Sequence, residues 1–162
     1  MPALETEDNM IRLIVVEDDH LQAESLSEHL RRAFGDVHIQ ILRTESEFRD
    51  AMPALRAKVP DVVVMDVMLR WTNPRPDQPA MPADVVAGGY YRAGLRCAQL
   101  LFKDSQLRDV RIILYTILEL SDLTRNDRSL PGNCTYLGKN SEPDALVRHI
   151  RARLRSPVRA QR

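Results

Sequence analysis

The sequence predicts one α/β domain: five consecutive strand–helix units folded into a doubly wound, five-stranded parallel sheet with helices on both faces. Three observations predict it. Short branched apolar runs at Ile11 to Val16 (IRLIVV), Asp61 to Asp66 (DVVVMD) and Arg111 to Thr116 (RIILYT) have the near-continuous hydrophobicity of strands covered on both faces. Stretches with apolar residues at helical spacing lie between the strands, and the right-handed crossover rule turns such a repeat into a parallel sheet. Each run also ends in a polar residue, and the carboxyl ends of parallel strands share one edge, where a crevice forms.

In order along the chain, Ile11 to Val16 ends abruptly in Glu17 and Asp18. A helix over Leu21 to Phe34 follows, with Leu21, Leu26, Leu30, Ala33 and Phe34 as its apolar face and Gly35 as its stop. Val37 to Leu42 (VHIQIL) alternates as an edge strand does, and Thr44 or Ser46 caps a helix reaching Lys58 despite Pro53. Asp61 to Asp66 and Arg111 to Thr116 are the buried strands, and Thr135 to Leu137 is a brief last one. A helix from about Tyr90 to Lys103 connects the two buried strands. Glu119 to Arg128 reads as a weak polar helix halted by Pro131 and Gly132, and Ser141 to Arg155 as a better one, N-capped by Ser141 with Pro143 in its first turn.

An insertion over about 70–89 breaks the rhythm between the third strand and the third helix. Pro74, Pro76, Pro79 and Pro82 fall within it, and Gly88 and Gly89 close it, so it is expected to be extended. Starting so soon after Asp66, it is placed to lie over the site or to select a partner; the plainer reading is a tolerated surface loop.

The chain is 162 residues long, enough for one domain (core about 10–155), with only a few residues after the last helix and hence no output domain expected. Its 23 basic and 23 acidic side chains balance, so no global cationic field points to direct DNA binding. The acid-rich start and the arginine-rich end, including Arg159 and Arg162, read as solvated termini. Cys97 and Cys134 lack metal or CxxC spacing and predict reduced thiols in a cytoplasmic protein. The histidines, His20, His29, His38 and His149, lack triad or metal spacing. Apolar runs such as Val62 to Met65 fall far short of the roughly 20 residues of a membrane helix.

The strand ends carry the chemistry. Glu17 and Asp18 after the first strand and Asp66 after the third would repel one another, by about 4 kcal/mol per close pair at an effective dielectric near 20. A hard divalent cation compensates, and Mg²⁺ favours a site of one or two carboxylates, a carbonyl, waters and a phosphate oxygen. Lys139 adds a second cation and Thr116 a hydrogen-bond donor. The set suits transfer of a phosphoryl group to a carboxylate.

The runs VVEDD (Val15 to Asp19), VVVMDVML (Val62 to Leu69), ILYT (Ile113 to Thr116) and YLGK (Tyr136 to Lys139) resemble, in order and spacing, the receiver domain of two-component response regulators, here as a stand-alone single-domain type. The resemblance covers about Met10 to Arg155 and implies a flavodoxin-like fold. It implies that Asp66 is the phosphoacceptor, taking its phosphoryl group from a phosphohistidine of a sensor histidine kinase or histidine phosphotransfer protein. It further implies that Asp18 and Asp66 bind Mg²⁺, that Glu17 holds it through water, and that Met68 offers its backbone carbonyl. Asp19 is left as an extra, solvated acid. Thr116 and Lys139 would contact phosphoryl oxygens, and Tyr136 would be the switch aromatic, turning inward from an exposed rotamer as Thr116 moves. The output is then a changed surface over the fourth helix, last strand and fifth helix, with an unknown downstream protein or a second copy as partner. Such a protein is no enzyme beyond its own phosphorylation and dephosphorylation.

The sequence departs from the family pattern at Arg70 and Asn140, where prolines are usual, and at Ile117, where a small residue is usual. Met68 and Leu118 occupy the positions that influence attack of water on the acyl phosphate; both are apolar, which predicts a long-lived phosphorylated form. Two alternatives remain at this level. One is a receiver-like interaction module without phosphorylation, which the departures keep open although all five chemical positions are present. The other is a Mg²⁺-dependent phosphohydrolase of the haloacid dehalogenase type, which would need a DxDx[TV] motif where VEDDH stands.

Overall fold

The computed structural model describes residues 10–155; the acid-rich start and the end of the basic tail lie outside them. Five parallel strands form one sheet in the order β2-β1-β3-β4-β5. The strands are β1 (Ile11–Val16), β2 (Val37–Leu42), β3 (Val62–Met65), β4 (Arg111–Thr116) and β5 (Cys134–Gly138). The helices are α1 (His20–Phe34), α2 (Glu45–Ala57), α3 (Ala83–Gly88), α4 (Ala93–Lys103), α5 (Leu120–Leu123) and α6 (Ala145–Arg155). The predicted doubly wound sheet is therefore present, with VHIQIL as an edge strand.

Alternation along the strands splits the core in two. Ile14, Val16, Val63, Met65, Ile112 and Leu114 pack beneath Phe48, Met52 and Leu55 of α2 and Leu95, Ala98 and Leu101 of α4. Leu13, Val15, Val62, Val64 and Ile113 face the other way, against Leu30 of α1 and Leu146, Val147 and Ile150 of α6. Burial of each such side chain contributes about 1.5–3 kcal/mol.

Several local expectations are corrected. Leu21 belongs to no buried face: it is 77% exposed, because the α1 stripe that meets the sheet runs through Ala23, Ser27 and Leu30. The insertion is not extended throughout, since Ala83–Gly88 closes one and a half turns after Pro82 and ends at Gly89 in the left-handed region (φ 68°). The weak polar helix shrinks to α5 and a 3-10 turn over Arg125–Asp127, broken by Asn126 at φ 59°. Ser141 does not cap α6: residues 141–144 form a turn before Ala145, consistent with Pro143 disfavouring helix in the residue before it. The Cys97 and Cys134 thiols are free, and burial pushes both above their ordinary range, Cys134 to about 12.

Candidate functional site

The chain order turns back between β1 and β3, and the site lies at their carboxyl ends. Val16 pairs with Met65, and the Asp66 N–H donates to the Val16 carbonyl at 2.9 Å, so Glu17 and Asp66 leave adjacent strands at one height. Thr116 pairs with Gly138 on the far side, and the Lys139 N–H donates to the Thr116 carbonyl at 2.8 Å. Register thus brings all the predicted loops to one edge, at the switch point where open α/β sheets bind ligands.

Lys139 is the centre of the arrangement. Its ammonium donates to Asp66 Oδ2 at 2.8 Å, to Glu17 Oε2 at 2.5 Å and to Gln22 Oε1 at 2.9 Å, and lies 5.9 Å from the Tyr115 ring centroid. Burial raises the pKa of Glu17, with Asp66 adding to the rise and Lys139 opposing it. The Lys139 pKa is raised as well, its two carboxylate partners outweighing its burial. Asp66 is only 7% exposed, and its Oδ1 accepts from the N–H groups of Val67 at 2.6 Å and Met68 at 3.3 Å. The phosphoacceptor candidate is therefore held by one backbone pair and one ammonium.

Asp18 points elsewhere. Its Oδ2 accepts from the Arg70 N–H at 3.2 Å and the Arg70 Nε at 3.3 Å. Asp19 has a definite task, capping α1 by accepting from the Gln22 N–H at 2.9 Å. Among the described residues no group of three or more His, Cys, Asp or Glu is gathered as a metal site: Lys139 bridges Glu17 and Asp66, while Arg70 holds Asp18. The donors still have the chemistry Mg²⁺ takes: carboxylates of Glu17, Asp18 and Asp66 and the main-chain carbonyl of Met68, all hard oxygens on two neighbouring loops.

Thr116 is fully buried, and its hydroxyl oxygen accepts from the Leu118 N–H at 3.4 Å. Tyr136 differs from the expected exposed rotamer. Its ring is half-buried against the α2–α4 side of the core, and its hydroxyl donates to the Leu118 carbonyl at 2.8 Å. The switch candidate is thus already tied to the loop that follows Thr116.

Three groups were not legible in the sequence. Gly94, at the start of α4, approaches the phosphoacceptor backbone so closely that a Cβ there would collide with the Asp66 carbonyl oxygen. Gln22 shares Lys139, and no motif marks it. Glu45, with no exposed surface, accepts from Arg96 at 2.6 and 2.9 Å and from Arg49 at 2.9 Å, while Arg49 reaches Asp84 in the insertion at 2.8 Å. The Arg70 and Trp71 carbonyls accept from the Glu45 and Ser46 N–H groups, so the insertion is pinned to the start of α2. A hollow of about 560 Å³ opens beside Glu17 and Lys139, between α1 and the segment leading into α6.

No family model matches the sequence, and no curated protein matches it. Solved structures do. The receiver domain of a Pseudomonas aeruginosa sensor histidine kinase, which has a magnesium ion coordinated in its active-site cleft, is 18% identical with a TM-score of 0.64, over 91% of this chain and 99% of that one. A signal receiver domain of a Syntrophus aciditrophicus histidine kinase is 22% identical, TM-score 0.63, over 93% and 94%. The receiver domain of a DNA-binding response regulator from Colwellia psychrerythraea is 18% identical, TM-score 0.65, over 90% and 99%. The chain has the fold of response-regulator receiver domains. No helix of the described residues is long and apolar enough to cross a membrane.

Proposed function

We propose that this chain is a phosphorylation-controlled signalling switch of the cytoplasm, in which Asp66 accepts a phosphoryl group from a phosphohistidine on a sensor histidine kinase or histidine phosphotransfer protein. The observation that carries the reading is the Lys139 ammonium, 2.8 Å from Asp66 and 2.5 Å from Glu17 at the sheet's switch point. A buried carboxylate beside an ammonium and a buried hydroxyl is equipped for one reaction above others, attack on phosphorus.

The chain's own residues supply most of the machinery. The Val67 and Met68 N–H groups fix Asp66 through Oδ1, which sets the plane of the carboxylate. An electron pair of the carboxylate forms the new P–O bond as the P–N bond of the donor breaks, and the leaving imidazole takes up a proton. Lys139 follows the incoming negative charge, and the Thr116 hydroxyl, whose hydrogen is free to donate, meets a phosphoryl oxygen. Glu17, Asp18, Asp66 and the Met68 carbonyl would hold Mg²⁺, which neutralises charge on the transferring group when bound. The donor approaches across the hollow beside α1, where Leu21 is exposed. The resulting dianion acts through Thr116 and Tyr136 on the α5–β5–α6 surface, which meets a downstream protein or a second copy. No catalysis on other substrates is implied.

A second reading, an interaction module that works without phosphorylation, is favoured by Arg70 holding Asp18. Intact-protein mass after incubation with Mg²⁺ and a panel of phosphorylated kinases and phosphotransfer proteins separates the two. A gain of one phosphoryl group in wild type, absent without Mg²⁺ and absent in Asp66→Asn, is the expected result. No gain from any donor by a folded protein favours the second reading.

A further inference from the structure

Away from the acidic edge, the end of α3, one face of α4 and the segment from Leu123 to Pro131 enclose three adjoining hollows of about 470, 570 and 410 Å³. Arg92 and Arg128 line all three, Arg96 and Gln99 line two, and Lys103 lines the largest. Among the acids whose side chains are described, Glu45, Asp84 and Asp122 already have partners. Arg96 is neutralised by Glu45, Asp84 is held by Arg49, and Asp122 by Arg125. Among the described residues no ion pair neutralises Arg92, Arg128 or Lys103.

Folding gives no reason for this gathering. Arg92 is partly withdrawn from water and faces two like charges, so burial, Arg128 and Arg96 all disfavour its charged form. Leu95, Leu100 and Leu123 add apolar surface to the lining, and of the cations there Arg92 and Arg96 are partly buried while Arg128 and Lys103 are exposed.

We propose that this hollow binds a small anion carrying at least two phosphate groups, of the nucleoside diphosphate or pyrophosphate class. Guanidinium forks match phosphate oxygens two at a time, and separated forks favour a chain of phosphates over one. Each hollow falls within the roughly 300–1,000 Å³ typical of small-molecule sites, which favours a compact ligand over a protein segment. Tyr91 lines the smallest hollow, with the Tyr90 ring 4.1 Å behind it, and offers a flat face for a base. The ligand would also fix the 123–131 segment, which follows the Leu118 carbonyl held by Tyr136. The site stands apart from Asp66 and does not depend on its phosphorylation.

Calorimetric titration of the whole chain with sodium pyrophosphate and with ADP, in EDTA at low ionic strength, tests it. One-to-one binding that weakens with added salt is expected, with Asp66→Asn binding as wild type does. The double variant Arg92→Ala/Arg128→Ala loses at least tenfold in affinity, whereas Arg31→Ala/Arg108→Ala, which removes two exposed arginines elsewhere, loses none. Arg92→Lys/Arg128→Lys keeps the charge without the forks and falls between, which guards against a misfolded alanine variant. Tighter binding of ADP supports a base contact; equal binding supports recognition of phosphate alone. The proposal is overturned if neither compound binds at millimolar concentration, if the alanine variant binds equally well, or if only a polyglutamate peptide binds.

Discussion

Arg70 shows how one residue sets the character of the site. Its guanidinium and its own N–H both fall on Asp18 Oδ2, so any cation that needs Asp18 must displace a tethered one. The Arg70 side chain is half-exposed, and an ion pair of that kind is worth about 0.5–1 kcal/mol. Arg70→Ala is therefore expected to tighten Mg²⁺ binding about two- to fivefold. Fluorescence of Trp71, the chain's only tryptophan and the next residue, reads the titration; weaker binding in the variant would show that Arg70 assists the metal instead. Lys139 has the larger stake, because its side chain is 11% exposed and its partners Asp66 and Glu17 are 8% and 4% exposed. Removing one member of a buried pair costs about 3–5 kcal/mol, and water entering the opened space lowers this to about 2–4 for Lys139→Ala. The loss has a defined pH dependence. A carboxyl whose folded pKa exceeds its unfolded 4.5 holds its proton more tightly when folded, and Glu17 is such a group even with Lys139 present. Acidification from the raised value toward 4.5 therefore neutralises Glu17 and restores part of the stability of Lys139→Ala. Urea unfolding at pH 7.5 and 5, in roughly neutral and mildly acid buffer, measures it, and a deficit that grows toward acid would contradict the assignment.

At the level of elements, α4 is positioned by what it lacks. Gly94 donates its N–H to the Val67 carbonyl at 2.9 Å while its missing Cβ leaves room for the Asp66 carbonyl. The neighbour in conflict is backbone, so Gly94→Ala cannot be absorbed by a side-chain rotation; overpacking of this kind costs about 1–3 kcal/mol. Phosphoryl uptake should fall with stability, since the displaced strand end is the one that carries Asp66; uptake at the wild-type rate would show that the loop accommodates α4 freely. The insertion is held by a different device. Loss of Glu45 leaves Arg96, at 13% side-chain exposure, without an ion-pair partner and leaves Arg49, at 21%, with Asp84 alone, so Glu45→Ala should cost about 3 kcal/mol and release residues 70–89. Limited proteolysis gives the readout: new cleavage between Arg70 and Arg92 is expected, and unchanged resistance would place the anchor in the backbone bonds from Glu45 and Ser46 instead. The insertion was the least legible element in the sequence, whereas the helix expected from about Tyr90 to Lys103 is present as a 3-10 turn over Tyr90–Arg92 running into α4. Four prolines signalled an irregular path, yet a short helix after Pro82 needs only six residues, and its anchors are Arg49 of α2, far off in sequence, and Arg96 of the neighbouring α4. The buried strands were legible because covering on both faces leaves a run of branched residues that no other element requires.

Across the whole molecule, the convergence of Glu17, Asp66, Thr116 and Lys139 was legible because parallel order alone carries strand ends to one edge. How those groups pair was not, since Arg70 and Gln22 reach the acids through side-chain geometry that spacing does not encode. Nor did the sequence reveal that Tyr136 is already bonded to the Leu118 carbonyl, a contact between β5 and the loop that follows β4. That bond defines what a signal must change. A phosphoryl group on Asp66 adds a dianion beside Lys139 and draws on the Thr116 hydroxyl, which now accepts from the Leu118 N–H. The same residue, Leu118, is therefore gripped from both sides, by Thr116 through its N–H and by Tyr136 through its carbonyl. Loading Asp66 with beryllofluoride and Mg²⁺ as an acyl-phosphate mimic should alter amide exchange over 117–131 and 134–138 while leaving the middle of α1 unchanged. Tyr136→Phe removes a bond worth about 1 kcal/mol, so exchange over 119–124 should rise about fivefold before any loading. Loading should then add little over that segment, because the link it acts through is gone. If the mimic changes exchange only over 66–70 in wild type, charge at Asp66 stays local, and the α5–β5–α6 surface is not the output of this fold.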